Sequence, residues 1–400
     1  MQARIDSITL PEIFRRAGYQ TVSVGRGMHQ YPKHARYGFE IFQEDAFAEV
    51  HSSIHAQIPR QSRVGGFDTW PHTSGGISAN GFRSRPWPYE ERFHETNWSV
   101  SKAIEFLDHR DFDAPFFLHV GFVAPHPPLI PPACYLERYL RMDLAPPVLG
   151  DWADDHSRRA AGDGAYYDGP WDGLELAGRW SHACRAGYYG SINHIDDQVS
   201  LLLARLAMDK HEDTYVIFTS DHGEMLGDHH WFRKSMPFEG SARIPLILQG
   251  PGLPSGMVVD EAVNLVDILP TCCDLAGIPV PGTAEGVSLA SMAHGNVAHR
   301  EFVHGEYSGN DPRGHHVLTD GRIKFIWFTK DGREYLFNLV DDPQERCNLV
   351  AKPEHKAEAQ LWRQRLIHLL RNRPEGFTDG RRLLPGRPYP SVILPGNTHP

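Results

Sequence analysis

The sequence is poor in cysteine and has no long apolar segment. Its 400 residues include five cysteines without any C-x-x-C spacing, so neither a zinc ribbon nor a disulfide framework is indicated, and the sparse, odd set favours a reducing compartment. The absence of any run of about 18 apolar residues argues against a membrane-spanning helix. Residues 1–30 carry Arg4, Glu12, Arg15 and Arg16, where a secretory signal would need an apolar stretch. We therefore expect a cytoplasmic protein without a membrane partner.

Positive charge is scarce relative to negative charge. The 50 acidic and 40 basic side chains give a formal net charge of -10, and no basic cluster is present. Because nucleic-acid affinity depends on neutralising phosphates with Lys and Arg, a nucleic-acid partner is not expected. Apolar residues make up 40% of the chain, which is enough for a substantial core, and histidine is frequent at 24. The length fits two to three domains or one large α/β domain with a small one.

Residues 215–248 carry the strongest chemical signal. An apolar run from Tyr215 to Phe218 stops at Asp221-His222-Gly223, as a buried strand does when it delivers ligands to the edge of an α/β sheet. Lys234 follows, and then a second apolar strand over residues 244–248. A carboxylate, an imidazole and an ammonium near one strand end indicate a metal site that handles a phosphate- or sulfate-like group. The alternative is a structural Asp-Gly turn beside a surface histidine and a solvated lysine.

Two further strand ends carry cations or imidazoles. His126 follows the apolar strand 115–123, and the prolines on both sides of it restrict the backbone and aim the ring. Arg26 and His29 follow a predicted strand over residues 19–24. Since open α/β sheets bind ligands at their carboxyl edge, His126 is a candidate acid or anion ligand, with Arg26 and His29 as neighbours. Ordinary loop histidines are the alternative interpretation.

The remaining pattern predicts how the chain is organised. Thr9 and Glu12 have capping-box spacing before a short helix, and helices are predicted over 96–109, 180–206 and 266–276. Residues 45–95 and 127–175 resemble irregular excursions that shape a substrate pocket. Short strands joined by Asp-Gly turns over 301–340, followed by a helix over 353–370, indicate a small antiparallel subdomain. We predict an α/β catalytic domain over 1–285, an antiparallel sheet-plus-helix subdomain over 286–372, and an irregular tail over 373–400.

The residues from Thr219 to Lys234, with Pro125-His126-Pro127 and Leu336-Phe337-Asn338-Leu339, resemble those of the type I sulfatases. This family belongs to the alkaline phosphatase superfamily, and the similarity covers residues 8 to about 350. Within it, the chain is most similar to the bacterial arylsulfatase and choline-sulfatase-like branch, which also includes phosphonate monoester hydrolases. The resemblance implies an alkaline phosphatase-like α/β fold with a mixed, mostly parallel sheet flanked by helices, and a small C-terminal antiparallel subdomain.

The resemblance also implies roles for individual residues. Asp221 matches the family's carboxylate ligand to a divalent cation, with Ca²⁺ first and Mn²⁺ as the alternative, and His222 occupies the neighbouring ligand position. Lys234 matches the lysine that contacts the ester oxygens and assists the leaving group. His126 matches the histidine on the leaving-group side of the sulfate. Arg26 and His29 fall in the loop where the family often has Gly-Lys-x-His, here with Arg for Lys and one extra residue.

The chain also departs from the family. It contains neither the strand with paired aspartates for the same metal nor the Cys/Ser-x-Pro/Ala-x-Arg motif whose first residue becomes the formylglycine nucleophile. The sequence Cys134 to Arg138 has Leu where Pro or Ala is needed, and Ser181 to Arg185 fits the spacing but lies in a predicted helix. We therefore interpret Met1 as a truncated or misplaced start.

The expected function is metal-dependent hydrolysis of a small-molecule sulfate ester, impaired in this chain because the nucleophile is missing. Two alternatives remain open. One is a phosphonate monoester or phosphodiester hydrolase of the same superfamily, and the other is a non-catalytic metal- or anion-binding relative. The sequence does not indicate which ester is bound or how many copies assemble.

Overall fold

The computed structural model describes residues 7–27, 35–44, 81–154, 178–208, 213–296, 300–307 and 313–387. The predicted site residue His29 lies outside these ranges, as do residues 45–80 and 155–175 of the predicted excursions over 45–95 and 127–175. The chain forms two compact units. Unit 1 comprises Met1–Pro146 and Tyr167–Glu212, and unit 2 comprises Pro147–Tyr166 and Asp213–Pro400. None of the helices in the described part of the chain combines the length and the apolar character needed to span a bilayer.

Unit 1 is a parallel sheet with helices packed against it. Its elements are α1 (Leu10–Arg16), β1 (Gln20–Gly25), β2 (Ile41–Glu44), a 3₁₀ turn (Glu91–Phe93), α2 (Glu95–His109), β3 (Phe116–Gly121), α3 (Ala133–Leu140) and α4 (Arg179–Met208). The strand order is β2-β1-β3, and both pairings are parallel. Val22, Val24 and Ala103 form the buried centre between the sheet and α2. The parallel sheet and its flanking helices confirm the predicted α/β class.

Two local predictions in unit 1 were wrong. The capping box at the start of α1 does not form, because the Thr9 hydroxyl donates to the Tyr37 carbonyl and the Glu12 carboxylate pairs with Arg15 at 2.8 Å. The proline-rich stretch 127–147 was predicted to be irregular, yet it contains α3. This helix begins directly after Pro132 and buries Leu136, so the prolines precede the helix instead of interrupting it.

Unit 2 contains two antiparallel sheets. Its elements are β4 (Val216–Thr219), a 3₁₀ turn (Asp228–His230), α5 (Glu239–Ala242), β5 (Leu246–Gln249), a 3₁₀ turn (Leu265–Asp267), α6 (Ile268–Leu275), α7 (Leu289–Ala293), β6 (Val303–Tyr307), β7 (His315–Thr319), β8 (Ile323–Phe328), β9 (Glu334–Asn338), a 3₁₀ turn (Pro353–His355) and α8 (Lys356–Leu370). The strands β4 and β5 pair with each other, and β6-β7-β8-β9 form an antiparallel meander. The meander and α8 confirm the predicted C-terminal antiparallel sheet.

The core of unit 2 lies between the meander and α8. Alternate residues of β8 and β9 face α8, whose apolar side chains recur at helical spacing. The fully buried members of this core are Leu318, Phe325, Trp327, Leu336, Ala359, Trp362, Leu366, Leu370 and Phe377. Trp152, from the early segment of unit 2, stacks on Phe238 with ring centroids 4.4 Å apart and donates to the Glu345 carbonyl at 2.8 Å.

Candidate active site

Asp221 and His222 lie directly after β4 in unit 2. The His222 Nδ1 is 2.8 Å from the Gly223 carbonyl oxygen, and a carbonyl can only accept, so Nδ1 carries the proton. The other ring nitrogen, Nε2, lies 3.6 Å from Asp221 Oδ2. In metal-binding histidines, the ring nitrogen that does not bind the metal commonly donates its N–H to a backbone carbonyl. This bond fixes the tautomer and the ring orientation. The Asp221 carboxylate and the His222 imidazole are therefore two potential metal ligands that lie beside each other.

Gly223 holds this loop against α5. Its amide donates to the Ser241 carbonyl at 2.8 Å, and a Cβ at this position would stand 2.2 Å from the Gly240 carbonyl oxygen. Only glycine allows the two backbones to approach so closely. The glycine of Asp-His-Gly therefore has a packing role that places the two donor side chains.

Lys234 lies in the loop that continues from Asp221, His222 and Gly223 towards α5. The Glu224 carboxylate accepts from the backbone amides of Leu226, at 3.2 Å, and Arg233. Met225 donates to the Arg233 carbonyl at 3.1 Å, so the chain on both sides of this turn is tied together. Arg233 and Ser235, on either side of Lys234, both have φ of 73°. Two non-glycine residues in this unfavourable region show that the surrounding bonds determine where Lys234 lies.

A buried ion pair anchors the segment that follows Lys234. Lys324 Nζ on β8 donates to Glu345 Oε1 at 2.8 Å, to the Pro237 carbonyl at 3.0 Å and to the Glu239 carboxylate. The other Glu345 oxygen accepts from the Glu239 amide at 2.7 Å. Lys324 and Glu345 are 2% and 1% exposed, so their charges satisfy each other away from water. The meander thereby supports the loop that carries Lys234.

His126 and Arg26 lie in unit 1, at the carboxyl ends of neighbouring parallel strands. β1 and β3 are in register from Gln20 opposite Phe116 to Gly25 opposite Gly121, and the backbone amide of Arg26 donates to the Gly121 carbonyl at 2.8 Å. The His126 amide donates to the Val123 carbonyl at 3.0 Å, and its Nδ1 donates to the Pro127 carbonyl at 2.8 Å. As with His222, that bond leaves Nε2 as the nitrogen that can exchange a proton.

A small cavity of about 20 Å³ adjoins His126 in unit 1. Trp87, His94, Glu95 and Ser191 are among the residues that line it. This volume suits about one water molecule, and the lining offers polar partners for it. The cavity is thus too small to be a substrate pocket by itself.

The sequence interpretation missed a pair of buried histidines behind this cavity. The rings of His94 and His194 are 4.7 Å apart, edge to face, and His194 is fully buried. Burial lowers the pKa of His194 to about 4, and it places the pKa of His94 well below the usual value, with the neighbouring His194 adding to the effect. Their separation by 100 positions gives no sequence signal, because only the packing of α2 against α4 brings them together.

The two segments with nucleophile-like spacing lie in helices of unit 1. Ser181 is 2% exposed inside α4, and the Cys184 thiol beside it donates to the Phe82 carbonyl at 2.6 Å. Cys134 is exposed on α3.

Comparison with known proteins gives consistent similarities. A sequence model of the family described as Sulfatase matches residues 4–278, and the model described as N-sulphoglucosamine sulphohydrolase, C-terminal, matches residues 227–372. The arylsulfatase of Clostridium perfringens (strain 13 / Type A) is 38% identical over 402 residues, covering 96% of this chain and 82% of the relative. The choline-sulfatase of Rhizobium meliloti (strain 1021) is 32% identical over 356 residues, covering 85% of this chain and 66% of the relative.

Solved structures show the same fold. The phosphonate monoester hydrolase of Agrobacterium radiobacter aligns with a TM-score of 0.74 at 25% identity, covering 97% of this chain and 85% of that one. The phosphonate monoester hydrolase SpPMH of Silicibacter pomeroyi aligns with a TM-score of 0.73 at 25% identity, covering 92% of this chain and 81% of that one.

Proposed function

This chain belongs to the sulfatase family, and we propose that its site binds small-molecule sulfate esters with the help of a divalent cation and supports their hydrolysis. The observation that carries the proposal is the pairing of Asp221 Oδ2 with His222 Nε2, 3.6 Å apart after β4, with the His222 Nδ1–H bonded to the Gly223 carbonyl. The arylsulfatase and choline-sulfatase relatives supply the ester class.

Asp221 and His222 would contribute two ligands to the cation. A carboxylate and a neutral imidazole suit Mn²⁺, while Ca²⁺ would draw mainly on oxygen ligands such as Asp221. These two donors fit part of a coordination shell, since such ions take about six ligands or more. When bound, the cation would neutralise charge on the sulfate oxygens and polarise the ester.

The cationic and imidazole side chains would act on the ester itself. Lys234 would contact the sulfate oxygens and offset the charge that develops on the leaving oxygen. His126 would deliver a proton from Nε2 to the departing alkoxide or phenoxide, while its Nδ1–H bond to the Pro127 carbonyl keeps the ring oriented. Arg26 and His29 would add positive charge beside the anion. Overall, the ester and water would yield an alcohol or phenol and sulfate.

The family nucleophile has no counterpart in the 400 residues of this sequence. We therefore expect little or no turnover of sulfate esters by the 400-residue chain. The test is hydrolysis of a chromogenic aryl sulfate by the purified chain, with and without Mn²⁺ or Ca²⁺. If the reading frame continues upstream of Met1, the extended protein would be assayed in parallel. Metal-dependent turnover by the 400-residue chain would contradict the expectation of inactivity. If the chain binds neither the cation nor sulfate, the proposed ester-binding function is wrong.

A second candidate is hydrolysis of phosphonate monoesters or phosphodiesters, which the two phosphonate monoester hydrolase structures favour. Rates of the extended protein on matched sulfate and phosphonate esters with one leaving group would separate the two activities. A non-catalytic relative would show cation-dependent stabilisation and anion binding but no turnover in either form. In the leading proposal, an experimental structure with bound cation and sulfate has Asp221 and His222 on the cation and Lys234 on the sulfate.

A further inference from the structure

Three potential metal ligands share one face of the β6–β7 pair. His304 and Glu306 are two residues apart on β6, so their side chains point to the same side of the sheet. His316 on β7 is the direct partner of Glu306 in the antiparallel register. Among the residues that the structure describes, this is the one group of three His, Cys, Asp or Glu side chains whose ligand atoms all lie within 4.8 Å of one another.

The distances between the ligand atoms fit a small tetrahedral ion. His304 Nε2 is 3.0 Å from His316 Nδ1, Glu306 Oε2 is 3.5 Å from His316 Nδ1, and Glu306 Oε2 is 3.9 Å from His304 Nε2. A tetrahedral zinc site with bonds of about 2.0–2.1 Å has ligand atoms about 3.3 Å apart. The three atoms therefore already approximate a face of such a tetrahedron, with each edge within about 0.6 Å of the expected length.

The surroundings orient the ligands. Arg373 donates from Nη1 to Glu306 Oε2 at 2.6 Å and from Nη2 to Oε1 at 3.3 Å, which fixes the carboxylate as outer partners of metal ligands do. His316 is 1% exposed between Trp327 and Phe377, so its ring has a fixed orientation.

The accessibility of the cluster is compatible with entry of an ion. His304 and Glu306 are 22% and 28% exposed, and they lie on the solvent side of the buried His316. Two imidazoles and one carboxylate are donors that suit Zn²⁺, with a fourth position left for water. We propose that His304, Glu306 and His316 form a zinc site that cross-links β6 to β7 in the C-terminal sheet. This site is separate from the Asp221 and His222 pair.

The test is Zn²⁺ binding to the metal-free full chain, measured by calorimetric titration, with Co²⁺ as a spectroscopic probe. The parent is expected to bind one equivalent that His304→Gln and Glu306→Gln lose or bind at least about ten-fold more weakly. Co²⁺ at this site is expected to give the intense visible bands of tetrahedral coordination, without a thiolate charge-transfer band, since no cysteine is among the ligands. Zn²⁺ should raise the thermal midpoint of the parent but not of the two variants.

Two controls separate this site from other zinc binding. His355→Gln removes an imidazole that also lies beside a carboxylate, Glu358 at 3.2 Å, and it should keep the equivalent. Asp221→Asn should keep it as well, so failure of the proposed function leaves this result readable. Matching thermal midpoints of the metal-free proteins establish that the variants fold. Unchanged stoichiometry and affinity in His304→Gln, or no Zn²⁺ binding by the parent, would overturn the site.

Discussion

Lys324 on β8 and Glu345 form a hydrogen-bonded ion pair of 2.8 Å in which neither side chain is more than 2% exposed. The same ammonium holds the Pro237 carbonyl at 3.0 Å, three residues beyond Lys234. The stability of unit 2 and the position of a candidate catalytic lysine therefore depend on one buried charge pair.

Replacement of Lys324 by Met should destabilise the protein by about 3–5 kcal/mol, because it leaves the Glu345 carboxylate buried without a partner. Urea unfolding measures the change. The double variant Lys324→Met/Glu345→Gln should be more stable than the single one, since the Glu345 position no longer carries a buried, unpaired charge. Arg382→Met removes a side chain that is 78% exposed and pairs with Asp379 on the surface, and it should leave the free energy of unfolding nearly unchanged. Equal effects of Lys324→Met and Arg382→Met would contradict the interpretation.

Gly223→Ala should destabilise unit 2 by about 1–3 kcal/mol, as overpacking does, because the new methyl group would meet the Gly240 carbonyl oxygen at 2.2 Å. Gly282→Ala provides the matched control, since nothing lies within 4 Å of a Cβ there. Chemical unfolding of both variants tests the difference. A Gly223→Ala protein as stable as Gly282→Ala would show that the Asp-His-Gly loop is not held against α5.

Divalent cations should stabilise the parent but not Asp221→Asn. At a cation concentration of 100 times the dissociation constant, the gain is about 2.7 kcal/mol, and loss of the carboxylate should remove most of it. The readout is the thermal midpoint with and without Mn²⁺ or Ca²⁺. Asp260→Asn, which changes an exposed carboxylate of the same unit, should respond as the parent does. The same cation response in both variants would exclude Asp221 as a ligand.

Stability should fall in acid through His194. Burial lowers its pKa to about 4 from 6.5, so between these values the unfolded chain binds a proton that the folded chain does not. The free energy of unfolding therefore rises with pH across this window, and at pH 4 about 3 kcal/mol is lost relative to pH 7.

His194→Gln should remove this part of the pH dependence, whereas His109→Gln, at an exposed histidine of α2, should not. Urea unfolding between pH 4 and pH 7.5 tests both variants. A slope in His194→Gln as steep as that of the parent would assign the acid sensitivity to other groups.

Sequence reasoning succeeded where neighbouring residues carry the signal. Asp221, His222 and Gly223 are consecutive at a strand end, and the family pattern extends from them to Lys234, so the fold class and the family were correctly predicted. The assigned roles of Asp221, His222, Lys234, His126 and Arg26 stay predictions.

What the sequence did not reveal depends on partners far away along the chain. The Thr9 hydroxyl donates to the Tyr37 carbonyl instead of capping α1. The cluster of His304, Glu306 and His316 exists only through the β6–β7 register, and Lys324 was unremarkable as a residue until β8 placed it beside Glu345. Such contacts follow from tertiary packing, which local periodicity does not encode.

The stack of Trp152 on Phe238 has a consequence for dissecting this protein into fragments. Unit 2 begins at residue 147, is interrupted by the second segment of unit 1, and resumes at residue 213. A fragment starting at residue 213 would lack the indole, which is 7% exposed in the intact chain, and would leave a large void against Phe238 and Tyr335. Cleavage of the intact protein between residues 154 and 178 would instead leave Trp152 packed on Phe238, because the N-terminal fragment would carry it. The cleaved complex should therefore unfold at a higher temperature than a separately expressed fragment that starts at residue 213.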